Sequence, residues 1–107
     1  MMSYLGRGGK YHSECGFLIF NMNHQHTQDY LIEMKRMYTS GDIYKEIEWH
    51  DSYIWDVVRK RFEKKFNIKN KNLGYEDRTI NDIVGNTFLF EYFYHLKGKR
   101  KYDYKNN

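Results

Sequence analysis

Two stretches of the chain repeat their apolar residues at helical spacing. Over residues 52–66, Ile54, Val58 and Phe62 recur every fourth position, and Tyr53, Trp55 and Phe66 widen the stripe. This is the pattern of an amphipathic helix with one buried face. Asp51 or Ser52 fits its N-cap, where a side-chain oxygen takes a backbone N–H that has no partner inside the helix. A second helix is predicted over 27–39: Leu31, Met34 and Tyr38 share one face, Ile32 and Met37 flank it, and Glu33, Lys35 and Arg36 face water. Thr39-Ser40-Gly41-Asp42 ends that helix, with Gly41 suited to the left-handed position past its last turn. The most apolar run is Gly16-Phe17-Leu18-Ile19-Phe20-Asn21-Met22. Its shortness and its aromatic and β-branched content predict a buried central strand over 16–22.

The remaining segments carry weaker patterns. Residues 1–12 hold three glycines and read as a loop or lead-in, with Gly8-Gly9 free to adopt positive φ. A glycine-rich phosphate cradle needs a strand before it, and the reading places none there. Residues 67–78 are polar, with a turn at 70–74; 79–84 alternate briefly; 86–95 are densely aromatic and open between strand and short helix, packing back on the rest. No repeat or linker divides the chain. The expectation is one α/β domain over 1–107, a small mixed sheet with two main helices, with flexible ends at about 1–10 and 102–107.

Composition narrows the function classes. Of 107 residues, 20 are aromatic (11 Tyr, 7 Phe and 2 Trp), so rings supply much of the buried area. The single cysteine, Cys15, excludes an internal disulfide framework. No apolar run approaches the roughly 20 residues of a membrane span, and no signal-peptide core follows Met1. The expectation is a soluble, cytoplasmic protein with no membrane span.

Three chemistries follow from the polar residues. His12-x-x-Cys15 and His24-x-His26 have superficial zinc spacing, but a structural zinc site draws on several thiolates and the chain has one. Arg59, Lys60, Arg61, Lys64 and Lys65 make a basic helix face, and Lys97, Lys99, Arg100 and Lys101 a basic turn amid aromatics. Basic residues interleaved with stackable rings suit a small single-strand nucleic-acid-binding module, although the net charge is only +4 and Glu46, Glu48, Asp56 and Glu63 interrupt the patch. Finally, His50 and Asp51 sit where the second helix opens, and the partial positive charge of a helix N-terminus could hold a polar or anionic substrate there.

The order of three segments resembles the retaining glycosyltransferases of the glycogenin and lipopolysaccharide galactosyltransferase type. Ser13-Glu14-Cys15-Gly16 leading into Phe17–Asn21 is similar to their strand preceded by a polar residue and a glycine. Trp49-His50-Asp51-Ser52 resembles the later acidic segment that opens a helix. His95-Leu96-Lys97-Gly98-Lys99-Arg100-Lys101 is similar to their closing His-x-x-Gly-x-x-Lys motif. The resemblance spans about residues 13–101 and implies the C-terminal half of a GT-A type fold that transfers a sugar from a nucleotide-sugar donor to an acceptor. It implies His95 as ligand of a divalent metal (manganese or magnesium), Gly98 and Lys101 at the pyrophosphate with Gly16 in the donor site, and His50, Asp51 and Glu14 at the sugar. Glu14, Asp51 and His95 would then share one face. The family's Asp-x-Asp motif is absent. The chain is therefore expected to be an incomplete or split domain, of viral or mobile-element type, inactive alone and completed by a second chain.

Overall fold

A computed structural model describes residues 1–8, 12–76 and 87–92. Strand β1 (Met2–Leu5) is followed by strand β2 (Glu14–Phe20), helix α1 (Thr27–Thr39), a 3₁₀ turn (Asp42–Lys45), helix α2 (Asp51–Phe66), the two-residue strand β3 (Lys71–Asn72) and a second 3₁₀ turn (Phe88–Glu91). The chain is a mixed α/β fold. Its small sheet has the order β2-β1-β3, with β1 antiparallel to β2 and parallel to β3.

The N-terminal segment corrects the expectation of a loop over 1–12. Met2-Ser3-Tyr4-Leu5 is the central strand, with Met2 and Leu5 buried. The predicted strand over 16–22 begins two residues earlier, ends at Phe20 and lies at one side of the sheet, and no residue in it is fully buried. A centre needs pairing on both sides, and β1 takes it because the Asn70–Tyr75 segment returns along its other edge. Asn70 Oδ1 accepts the Met2 N–H at 2.9 Å, and Leu73 N–H and Tyr75 N–H bond to the Tyr4 and Gly6 carbonyls, each at 2.7 Å. Asn72 locks this return: its Oδ1 accepts both Gly6 N–H and Gly74 N–H at 2.8 Å. Gly6 and Gly74 approach so closely that a Cβ on Gly74 would strike the Gly6 backbone.

Both helices fall where the periodicity puts them. Gly41 takes φ 80 immediately after the C-cap Ser40, as the helix-ending reading requires. At the far end of α2, Asn67 closes the helix in the left-handed region at φ 52 and donates its N–H to the Glu63 carbonyl. The buried stripe of α2 contains Ile54 and Val58, with Tyr53, Trp55 and Phe62 packed against it.

The face of α1 is rotated from expectation. Thr27, Tyr30, Met34 and Met37 are buried, whereas Tyr38 and Ile32 are exposed. Tyr30 occupies the centre because its hydroxyl can donate to the Trp55 carbonyl at 3.0 Å, while its ring meets Phe62 edge-on at 5.4 Å. A buried tyrosine needs that partner. These residues, Met2 and Ile43 form the main core between helices and sheet; Leu5 anchors a smaller cluster with Phe17, Leu73 and Tyr75. In the aromatic segment, whose sequence fits either a strand or a short helix, a 3₁₀ turn forms at Phe88–Glu91, and Phe88 and Tyr92 are exposed. Among the described residues, no helix is long and apolar enough to cross a membrane.

Candidate metal centre

The site begins with how the chain enters α2. After the turn at Asp42–Lys45, which buries Ile43, the backbone is extended at Glu46 (ψ 160) and again at His50 (ψ 156). Glu48 and His50 meet here, Glu48 Oε1 lying 3.3 Å from His50 Nε2. Ile47 is 91% exposed, and Trp49 lies edge-on against Tyr44 at 5.1 Å. His50, not Asp51 or Ser52, is the N-cap residue of α2. Its carbonyl accepts the N–H groups of Tyr53 and Ile54, while its side chain caps nothing.

From the other direction, His12 is delivered by the segment entering β2. Arg7 Nε donates to its carbonyl, and the next residue, Ser13, is buried and gives its N–H to Asp56 Oδ2 on α2 at 2.8 Å. The Tyr53 ring meets the His12 imidazole edge-on at 5.0 Å. Two elements far apart in sequence thus bring His12 against the Glu48–His50 loop.

The carboxylate of Glu48 spans both imidazoles. Its Oε2 lies 2.7 Å from His12 Nε2 and its Oε1 3.3 Å from His50 Nε2. These bonds from His50 and His12 hold the Glu48 carboxyl below the usual carboxylate range, so it stays ionised. One ligand atom from each of His12, Glu48 and His50 lies within 4.8 Å of the others. Tetrahedral zinc bonds of about 2.0–2.2 Å place ligand atoms about 3.4 Å apart. Side-chain rotations on the order of 1 Å bring the three to that spacing.

Tautomer chemistry decides whether the donor set fits. With Nε2 of each imidazole on the carboxylate, the ring protons sit at Nε2. A metal needs those lone pairs, so each proton must be carried at Nδ1 instead. An oxygen stands near both Nδ1 atoms: Ser52 Oγ at 3.1 Å from His50, and Asp56 Oδ2 at 4.0 Å from His12. Two imidazoles and a carboxylate, each imidazole backed by an outer oxygen, suit a divalent transition metal of the zinc class and are a poor set for magnesium.

The other expected site residues divide. Asp51 Oδ1 accepts the Tyr38 hydroxyl at 2.6 Å; burial, then this bond, pushes the Tyr38 phenol up to about 12. Glu14 Oε1 accepts the Gly16 N–H at 2.9 Å within the first residues of β2. The Cys15 thiol is raised by burial and then by the negative charges of Glu14 and Asp51. Cys15 is therefore a protonated thiol rather than a nucleophile. His95, Gly98 and Lys101 lie outside the described residues.

The basic face of α2 is smaller than its sequence suggests. Arg59 is buried among carboxylates and Arg61 donates to Glu46 at 2.6 Å, which leaves Lys60, Lys64 and Lys65 exposed. His12 and Glu48 are the functional candidates that spacing did not single out as a pair. The alternation Glu48-x-His50 just ahead of a helix is a readable signal; His12, 36 residues away, has none.

No family model matches the chain, and neither a curated protein nor a solved structure matches it.

Proposed function

We propose that this protein is a metal-binding α/β module that takes a divalent transition metal through His12 Nε2, His50 Nε2 and a Glu48 oxygen. One observation carries the reading: both Nε2 atoms converge on a single carboxylate while an oxygen faces each Nδ1. Three protein ligands at the surface leave a fourth position for water or a ligand atom, the form of a catalytic or exchangeable site rather than a closed structural one. Titration of the full chain with cobalt(II) is expected to develop tetrahedral visible absorption at one equivalent, displaced by zinc. His12→Ala and His50→Ala are each expected to abolish it. Wild-type absorption retained in both variants would sink the reading.

A second reading, a nucleotide-sugar-dependent transferase half-domain, draws on the same metal-capable cluster at His50, where the resemblance had implied a sugar contact and had given the metal to His95. A divalent cation neutralises a diphosphate leaving group. It predicts that a nucleoside diphosphate binds the metal-loaded chain and is released by chelation. Binding indifferent to metal, or absent with metal present, would count against it.

A further inference from the structure

The two imidazoles are backed unequally. His50 sits on an exposed loop, its side chain 53% accessible, and its Nδ1 faces a neutral hydroxyl. His12 is 29% accessible, lies against Tyr53, and its Nδ1 faces a carboxylate that is itself only 9% accessible. That carboxylate, Asp56, cannot drift. Ser13 N–H holds its Oδ2, and Arg59 Nη2 lies 3.4 Å from its Oδ1. Nor is its charge cancelled there. Arg59 makes its closer contacts, both 2.9 Å, with the two oxygens of Glu63. One guanidinium therefore serves two carboxylates, and the trio keeps a formal charge of about −1 beside His12.

We infer that Asp56 is the positioning residue of the metal centre, making His12 the anchor ligand onto which the Glu48–His50 loop closes. The inference rests on the metal reading. A ring shift on the order of 1 Å turns the 4.0 Å separation into an Nδ1–H···O bond to Asp56, which fixes the tautomer, leaves Nε2 free for the metal and raises its basicity. Ser52 does the same for His50 with no charge to lend. The outer shell is thus graded: a buried, charged acceptor behind His12 and a neutral one, in a solvent-exposed contact, behind His50.

The test compares Asp56→Asn and Ser52→Ala by zinc competition against cobalt in the full chain. Asp56→Asn is expected to weaken binding about 10–100-fold, the usual loss of an outer-shell carboxylate, and Ser52→Ala by less than a factor of about 3, since a water can replace an exposed hydroxyl. Equal losses, or an Asp56→Asn protein that binds like wild type, would overturn the grading while leaving the metal reading intact. No binding by wild type would remove the metal reading itself. Because Asp56→Asn exposes Arg59 to an altered partner and could unfold the chain, wild type supplies a second measurement. In the zinc-loaded protein, ¹⁵N–¹H correlation should show His12 as an Nδ1–H tautomer whose proton exchanges slowly, with the His50 Nδ1 proton exchanging fast. The reverse order, or His12 bound through Nδ1, would refute it.

Discussion

Two arginines in this chain each hold two carboxylates, and they differ chiefly in their exposure to water. On α1, Arg36 is 47% exposed and makes three short bonds: Nε and Nη2 to Glu33 at 2.8 and 2.7 Å, and Nη1 to Asp42 at 2.6 Å. On α2, Arg59 is 7% exposed, bonds Glu63 twice at 2.9 Å and Asp56 at 3.4 Å, and leaves its buried Nε without a partner among the described residues. By bond geometry the exposed network is the better made. By consequence the buried one matters more, because water reaches Arg36 itself and is kept from Arg59 and from Asp56, 7% and 9% exposed, although Glu63 is 25% exposed. Arg59 also lies over the Tyr4 ring, 3.8 Å from its centroid, so it joins α2 to the central strand as well as to the carboxylate behind His12.

The sharpest way to break that comparison is to remove each arginine. Among the described residues, Arg59→Ala would leave the buried Asp56 carboxylate with the Ser13 N–H and with His12 Nδ1 at 4.0 Å, and Glu63 with Asn70 Nδ2 at 3.1 Å. Stranding one member of a buried ion pair costs about 3–5 kcal/mol, a large part of the stability of a domain this size. Urea unfolding followed by tryptophan fluorescence should show it as a large fall in midpoint. A cost similar to that of an ordinary surface substitution would mean that water reaches Asp56, and the graded outer shell proposed for His12 would lose its basis.

How much of this was legible differs between the helices, the sheet and the site. Helix limits were readable because apolar period and the left-handed Gly41 are local signals, fixed within a few residues. The apolar pattern puts Tyr38 on the buried face of α1, and the structure buries Tyr30 instead. The two are the same residue type two turns apart, and only the Trp55 carbonyl, 25 residues away, decides which is buried. The central position of β1 was illegible for the same reason. Four residues before a glycine look like a lead-in until Asn70, Asn72 and Leu73 return to pair with them. At the site, His50 was visible as the residue opening a helix. Its partner Glu48 lies two positions away, but His12 joins them through tertiary contacts such as Ser13–Asp56 and His12–Tyr53, which no spacing records.

Arg36→Ala should give the smallest effect, and its pH and salt dependence make the measurement useful. The bonds from Arg36 are the first cause holding the Glu33 and Asp42 carboxyls below their usual range. A group with a depressed folded value contributes stability that is present above its unfolded pKa and lost as pH falls through the folded one. Wild type should therefore lose a small increment of stability as pH falls through and below the ordinary carboxylate range of about 3.9–4.3. Arg36→Ala should lack that increment and melt slightly earlier at pH 7 in low salt. Because the pairs are open to solvent, the difference between wild type and variant should shrink toward zero in about 1 M salt, where the screening length is only about 3 Å. The Arg59→Ala deficit, lying inside the protein, should persist at the same salt. A salt-insensitive Arg36 effect as large as that of Arg59 would show that bond geometry, rather than exclusion of water, sets the contribution of such a network.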